Sequence, residues 1–583
     1  MLDYGMNTSI NFDKTRCRKA WEWRSTGWRS KRIPFVLRSR QCMADKFIIG
    51  LDFGTETARG IRISVATGRQ EASSTRPYPH GVITGALPCG HVLPQFYALQ
   101  DADDYLVVAE ALLKELGEGR EIAGIGVDFT ASSPLPCLQD GTPLSRLFPQ
   151  NPHAFVKLWK HGAAQPYASN FLLDDAVVQS AFGGRVSGEW LLAKAREISA
   201  EAPDIWAQTD RFIEAGDWLV RMLTGNERRS GDFATYKAQF DWTAGYPSSL
   251  TSDIAARLAD PSVVGASAGN MTADWCARTG IRGLPAVAVA AIDSHAVLPA
   301  VTDGAPNTLT CAIGTSAAYL YLTDRRKPLP PGVEGMAIDA ALPDLWCYEA
   351  GQAAYGDVLA WFVKTFPLGD TMDESFDRYN AAARALSPGE HPLLALDWWS
   401  GNRVPYSDSS LSGMLLGMTL STDGPAIYRS LVESLCFGTR AVVDMFEQGG
   451  LPVDRIIVTS GLSRRNPFVV ATLADVLGRP VEVPEIENAT CVGAAIHGAV
   501  AAGIVEDFRL GFRRFGASGS AVYRPSPAPE RQVYDSLYSE YRRLAQDREI
   551  KAAMHTLRRL AGELPARIAS QTDSPVRSAE PGR

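Results

Sequence analysis

The stretch Phe47-Ile-Ile-Gly-Leu-Asp52-Phe-Gly54-Thr55-Glu-Thr57 ends an apolar run on a carboxylate and follows it with glycine and small hydroxyls. Bare amides and hydroxyls suit phosphate oxygens, and a carboxylate suits the water shell of a magnesium ion. A second apolar run to Val65 follows, so the stretch is expected to be a β-hairpin with its chemistry at the tip. On these residues alone, an ordinary hairpin whose Gly54 and Thr55 only serve the turn stands beside that reading. The pattern returns about 260 residues later in Thr308-Leu-Thr-Cys-Ala-Ile-Gly314-Thr315-Ser316, again between strand-like runs. Two like hairpins suggest two similar lobes facing a shared cleft.

Just before the second hairpin, Leu284-Pro-Ala-Val-Ala-Val-Ala-Ala-Ile-Asp293 ends another apolar strand on a carboxylate. Partial burial would poise Asp293 to take a proton from a substrate hydroxyl, and a helix cap is the alternative. Glu121 to Asp128 reads as a buried strand ending in a carboxylate. The loop after it, Phe129 to Pro136 with Ala131, lies where ligands of open α/β sheets collect. Asn151 to His161 mixes aromatic and hydrogen-bonding groups of the kind that face a polyol, or forms a core strand with a basic end. Asp217, beside Trp218 in an apolar helix, reads first as a cap, and Lys237 as a surface charge. At Ser460-Gly461 an apolar strand breaks before a new helix, a junction that can receive a nucleotide phosphate or bind nothing.

The elements that must position these groups alternate strand and helix patterns, the mark of an α/β architecture. Helices are expected from Tyr105 to Leu116, from Ser187 to Thr224 and from Ala426 to about Gln448. Tyr348 to Phe362 reads as a glycine-marked loop entering an amphipathic helix, and Asp397 to Pro405 as a structural polar turn. Asn488 to Val505 carries no Asp, Glu, Lys or Arg, and its Ala and Gly content predicts an interior helix rather than a membrane span. A Ser/Pro/Arg-rich tail from about Ala566 is expected to be disordered.

The chain's 583 residues exceed one core, and its net charge of −7 argues against a nucleic-acid or anionic-membrane partner. Nine cysteines without a Cys-x-x-Cys pair signal neither disulfides nor zinc and fit a reducing cytoplasm. The dipeptide Gly-Lys is absent, which excludes a Walker phosphate loop. Residues 1–42 hold ten Lys or Arg against three Asp or Glu, with Trp21, Trp23 and Trp28 among them. They read as a targeting presequence or, preferred, a leader before a start at Met43.

Taken in order, these stretches resemble the FGGY carbohydrate kinases, and within them the bacterial ribulokinase branch, from about Phe47 to about Leu544. Asn-Pro-His-Ala-Phe-Val-Lys-Leu-Trp159-Lys160, Ile-Asp293-Ser-His295 and Glu349-Ala-Gly-Gln352-Ala-Ala-Tyr-Gly-Asp carry it, with Gly-Val-Asp128-Phe-Thr-Ala131, Tyr-Lys237-Ala and Ser-Gly461-Leu-Ser-Arg-Arg-Asn466. The resemblance implies two actin-like, ribonuclease-H-like α/β lobes with a catalytic cleft between them. It divides the chain into a leader (1–45), an N-terminal lobe (46–302), a C-terminal lobe (303–545) and a final helix and tail (546–583).

It further implies ATP-dependent phosphorylation of the terminal hydroxyl of a ketopentose, L-ribulose first and another pentulose or pentitol as the alternative. A non-catalytic ATP-binding sugar sensor is the rival from another class. Asp293 would be the general base, and Asp52 would hold magnesium through water. Gly54, Thr55, Gly314 and Thr315 would embrace the ATP phosphates, and Gly461 and Asn466 would lie along the adenosine. Ala131, Lys237 and Glu349 would contact the sugar, with Asp217 nearby. The implied partner is a small sugar, and a homodimer is left open. Two departures stand out: His161-Gly162 follows Leu-Trp-Lys where the family has Asp-His, and Ser460 replaces the first glycine of the adenosine loop.

Overall fold

The computed structural model describes residues 46–168, 175–184 and 187–572, with side chains through residue 561; the basic segment 1–45 lies outside this set. Lys46–Phe53 (β1) and Thr57–Ser64 (β2) pair antiparallel, Phe47 opposite Ser64 and Phe53 opposite Ala58, so that Gly54 and Thr55 occupy the turn. Gln70–Pro77 (β3) continues from β2, and Glu121–Phe129 (β4) runs parallel to β1 on its other side. Ser267–Asn270 (β5) forms the far edge, antiparallel to Ala286–Ala288 (β6); β6 and Ala291–Ile292 (β7) both pair parallel with β4. The path β3-β2-β1-β4-β6 is the ribonuclease-H-like arrangement that the resemblance implied.

The same path recurs in the second half. Thr308–Ile313 (β8) and Ala317–Thr323 (β9) form its central hairpin, followed by Gly335–Ile338 (β10) and Trp346–Gln352 (β11). Arg455–Thr459 (β12), Val481–Pro484 (β13) and Ser520–Tyr523 (β14) complete the order β10-β11-β9-β8-β12-β13-β14. The two Gly-Thr turns therefore stand at equivalent places in two like sheets.

Helices cover these sheets because their strands are apolar on both faces. Ala102–Gly117 (α1), capped by Asp101, contributes Leu112 and Leu116 to the buried cluster that also holds Ile49, Leu51 and Phe53. Leu191–Glu201 (α2), Ala215–Thr224 (α3) and Gly231–Ala238 (α4) belong to the N-terminal lobe. The short helices Asp293–Ala296 (α5) and Leu298–Val301 (α6) lead towards the second hairpin. In the second half come Gly356–Thr365 (α7), Gly424–Gln448 (α8), Gly461–Arg465 (α9), Pro467–Leu477 (α10) and Ala489–Ala501 (α11).

Helix α11 is the uncharged segment of the sequence, and it is indeed interior. Small residues let its backbone touch the first sheet: a Cβ on Gly126 would lie 1.7 Å from the Ala494 carbonyl oxygen, and one on Gly50 1.9 Å from that of Cys491. Ala495, Ile496 and Ala499 share a buried cluster with Ile48 of β1 and with Leu320, Leu322 and Ile457 of the second sheet. The helix is thus a layer between both sheets, which is why it is apolar all round. Among the described residues no helix is long and apolar enough to cross a membrane.

Three expectations need correction. Ser187 to Thr224 is not helical throughout: α2 is followed by Pro203–Gln208, the strand Arg211–Glu214 and α3. Phe212 and Ile213 are buried by pairing with Pro134–Cys137, a tertiary contact that overrides the helical pattern. Tyr348 to Gln352 is strand β11 rather than loop, held between β9 and β10. The final helix runs from Arg548 to Thr572, beyond the point where the tail was expected to begin, and residues 573–583 lie outside the described set.

Candidate active site

Register brings three carboxyl groups together. Asp52 and Asp128 end β1 and β4 directly side by side, and β7 pairs its Ala291 with Asp128, so Asp293 starts α5 one step beyond. Asp128 is fully buried, and neither of its carboxyl oxygens has a partner among the described residues. Burial, then the charges of Asp52 and Asp293, push its pKa well up. Burial also raises Asp52, opposed by the guanidinium of Arg59 at 3.3 Å. Asp293 is pushed up to about 7, chiefly by burial and then by Asp52, while the Ser294 amide, His295 and Lys237 pull the other way. The Ser294 N–H donates to Asp293 Oδ1 at 2.7 Å, leaving the other oxygen uncommitted to the backbone.

An orphaned carboxylate beside a second one is a donor set that a hard divalent cation satisfies, so the residues fit magnesium. In the sequence Asp128 reads as a strand-end carboxylate and enters the family resemblance without a role; its place beside Asp52 makes it the second candidate ligand. Asp232 was not singled out either. Its Oδ1 accepts from His295 Nδ1 at 2.6 Å and its Oδ2 from the Ile292 amide at 2.9 Å, which fixes the chain on both sides of Asp293.

Two ion pairs cross between the lobes. Lys237 of α4 approaches Glu349 of β11 at 3.7 Å, and Arg403 approaches Glu189 at 3.9 Å. Burial would lower Lys237 and raise Glu349, but mutual attraction outweighs it: Glu349 holds Lys237 above its usual range, and Lys237, His295 and Arg403 hold Glu349 below. The Tyr236 hydroxyl donates to the Cys347 carbonyl at 2.5 Å and Trp242 Nε1 to that of Ile338 at 3.0 Å, two further ties between lobes. Ala131 sits in the loop after β4, which is clamped from behind. Glu214 accepts from Ser132 Oγ and the Ser133 amide, and buried Lys194 donates to the Ser132 carbonyl at 2.8 Å.

Asp217 is placed differently. It is the third residue of α3 rather than its cap, and its Oδ1 accepts from the Ser230 amide at 2.9 Å, fastening α3 to the start of α4. The polar stretch before His161 also divides in two. Trp159 Nε1 donates to Thr55 Oγ1 at 3.0 Å and Lys160 pairs with Glu56 at 3.8 Å, so these two side chains meet the first hairpin's turn. His161 instead turns into the lobe, its Nε2 on Glu197 and its Nδ1 accepting from the Ala98 amide, with Lys157 on the same Glu197. Burial holds His161 down to about 4, so it is a neutral member of a packed knot.

At the second hairpin the Gly314 and Thr315 carbonyls accept from the amides of Gly356 and Tyr355 at 2.9 and 2.8 Å, tying the turn to the start of α7. The departure at Ser460 has a local use: its hydroxyl oxygen accepts from the Leu462 and Ser463 amides at 3.1 and 3.2 Å and so caps α9. Asn466 is buried, its Oδ1 accepting from the Val469 amide and its Nδ2 donating to Asn380 Oδ1 at 2.9 Å. Gly461 keeps an open face, the nearest atom to a Cβ there being the mobile end of Arg465 at 3.4 Å.

Residues 309–502 match the model of the C-terminal domain of the FGGY family of carbohydrate kinases. A ribulokinase of Halalkalibacterium halodurans is 37% identical over 533 residues, spanning 86% of this chain and 94% of that protein. A ribulokinase of Mycolicibacterium smegmatis is 37% identical over 530 residues, spanning 85% and 93%. The solved xylulose kinase from Rhodospirillum rubrum shares the fold with a TM-score of 0.74 at 21% identity, over 88% of this chain and 100% of that one.

Proposed function

Since the chain belongs to the FGGY family of carbohydrate kinases, we propose that this sugar kinase transfers the γ-phosphoryl group of ATP to the 5-hydroxyl of a ketopentose, L-ribulose. The observation that carries the reading is Asp293. It is a buried carboxyl whose pKa of about 7 suits a proton acceptor, beside the Asp52–Asp128 pair and next to Lys237 and Glu349.

In this reading Asp293 takes the proton of the sugar hydroxyl as that oxygen bonds to the γ-phosphorus. The bond from phosphorus to the bridging oxygen breaks, and ADP leaves with the electron pair. Lys237 and Glu349, one from each lobe, bind sugar hydroxyls together with the Ala131 loop and hold the reacting oxygen in line. Gly54 and Thr55 of the first hairpin and Gly314 and Thr315 of the second hold the phosphates, and the Gly461 loop lies along the adenosine. Asp52, with Asp128, would hold magnesium; bound there, the ion would offset the phosphates' negative charge. Phosphoryl transfer needs positioning and charge neutralisation more than covalent help, and closing two lobes excludes the water that would otherwise accept the phosphoryl group. Asp217 has a structural partner and is left out of the sugar contacts.

The reading is tested by ADP release from purified protein with L-ribulose, D-ribulose, xylulose, ribitol and glycerol. Release is expected to be highest with L-ribulose and at least about tenfold lower with glycerol, which lacks the hydroxyls that the cleft would bind. Higher release with another pentulose would reassign the sugar. No sugar-stimulated release with any of the five would favour a sensor.

A further inference from the structure

The first Gly-Thr turn is held from behind by side chains. The Tyr78 hydroxyl donates to the Gly54 carbonyl at 2.8 Å, and Gln100 Nε2 donates to the Thr55 carbonyl at 2.8 Å. The Tyr105 hydroxyl, in α1, donates to Gln100 Oε1 at 2.6 Å, so the Gln100 amide is engaged at both ends with its nitrogen towards the turn. The Tyr78 amide also donates to the Glu56 carbonyl, at 3.4 Å. Tyr78, Gln100 and Tyr105 are buried, whereas Gly54 and Thr55 are partly exposed and Glu56 is exposed. The turn thus has a closed side, towards these three residues, and an open one.

The pinned carbonyls decide where the amides go. The Gly54–Thr55 and Thr55–Glu56 peptides are trans, and in a planar trans peptide the N–H points opposite to the C=O. With the Gly54 and Thr55 carbonyls drawn to the closed side, the Thr55 and Glu56 N–H groups face the open side. Neither N–H has a hydrogen-bond partner among the described residues. The second turn reaches the same state by other means. The amides of Gly356 and Tyr355 hold the Gly314 and Thr315 carbonyls, and the Thr315 and Ser316 N–H groups have no partner among the described residues. One pattern with two different supports belongs to the shared task of the turns rather than to the packing of either lobe. Successive backbone N–H groups left open in a turn suit an anion.

We propose that Gln100 and Tyr78 are positioning residues of the phosphate site: by holding the Thr55 and Gly54 carbonyls back, they keep the Thr55 and Glu56 amides aimed at the phosphate oxygens of ATP. The inference rests on the reading of the first turn as an ATP phosphate site. Hydrogen bonds to a charged acceptor are the stronger kind, and a donor that is already aimed loses little freedom when the nucleotide arrives. Without the two side chains both peptides are free to rotate, and part of the binding energy goes into turning them back. The first turn is the one whose support can be removed by substitution, since the second is held by backbone amides.

The test measures the dissociation constants of a non-hydrolysable ATP analogue and of adenosine by calorimetry, with magnesium present, for the wild type, Tyr78→Phe, Gln100→Met and the double variant. Each substitution keeps most of the buried volume and removes the donor. Affinity for the analogue is expected to fall about three- to tenfold in each single variant and about 10- to 100-fold in the double, the range of one or two hydrogen bonds to a charged group. Affinity for adenosine, which has no phosphate, should move less than about twofold, and this also shows that the variants are folded. An unchanged affinity for the analogue in the double variant, or an equal loss for analogue and adenosine, overturns the positioning role while the kinase reading stands on ADP release. A wild type that binds the analogue no more tightly than adenosine overturns the assignment of the turn to phosphate and this inference with it. Selective loss of the analogue in a protein that releases no ADP with any sugar overturns the kinase reading alone.

Discussion

Asp293→Asn lowers kcat by about two to four orders of magnitude while the dissociation constant for the sugar moves less than about threefold, measured by single-turnover ADP formation and by calorimetric titration. The amide keeps the volume and the hydrogen bond from the Ser294 amide, and Asp232 still fixes the flanking Ile292 and His295, so only the capacity to take a proton is removed. The same carboxyl sets an acid limb. Its pKa is raised to about 7, so the ionised, proton-accepting form is lost as pH falls through that value, and kcat/KM for the free enzyme should drop about tenfold per pH unit below it. A cation at Asp52 and Asp128 stabilises the ionised form and moves the limb downwards. The residual activity of the variant should lack the limb. Turnover near the wild-type rate, or an unchanged acid limb in the variant, would remove Asp293 from its role.

Gly126→Ala should prevent the protein from reaching its native fold, or cost more than about 4 kcal/mol in urea unfolding if it folds, a range reserved for disruptions with a named cause. The cause is backbone against backbone: the new methyl would lie 1.7 Å from the Ala494 carbonyl oxygen and 2.6 Å from its carbon, and neither is the end of a side chain that can swing away. Moving α11 to relieve it would also break the closeness of Gly493 to the Ala296 carbonyl, 1.6 Å from a Cβ, just after Asp293. The control sits after the same helix. Gly503 has a φ of +66° and nothing within 4 Å of a Cβ, so Gly503→Ala bears only the left-handed backbone strain of about 1 to 2 kcal/mol. Equal losses in the two variants would contradict the packing argument.

Much of this arrangement was legible in local pattern. The two Gly-Thr hairpins announce themselves by apolar runs on either side of a polar turn, and the two sheets repeat around them as the echo implied. Helix α11 was readable as interior because it has no charged face. What was not legible depends on pairing across distance. Asp128 is one strand-end carboxylate among several until register sets it beside Asp52. Lys237 and Glu349 come from unrelated stretches, one in a short helix and one in a strand, and only the approach of the lobes brings them together. Asp217 shows the converse: an acid beside a Trp in an apolar helix looks the same whether it meets a ligand or, as here, a backbone amide. The change at His161-Gly162 falls partly on a buried residue, so the sequence departure is absorbed by Glu197 rather than displayed at Asp293.

The departure at Ser460 is likewise local, a hydroxyl capping a short helix, and leaves the cleft groups as they are. The balance of the cleft therefore rests on the carboxyl end of the first sheet and the ion pairs between lobes. The most direct measurement is carbon and phosphorus NMR of the product formed from L-ribulose and ATP by the wild type. A phosphomonoester on carbon 5 is expected, shown by phosphorus coupling to that carbon. A phosphoester on any other carbon, or release of inorganic phosphate without a sugar phosphate, would contradict it.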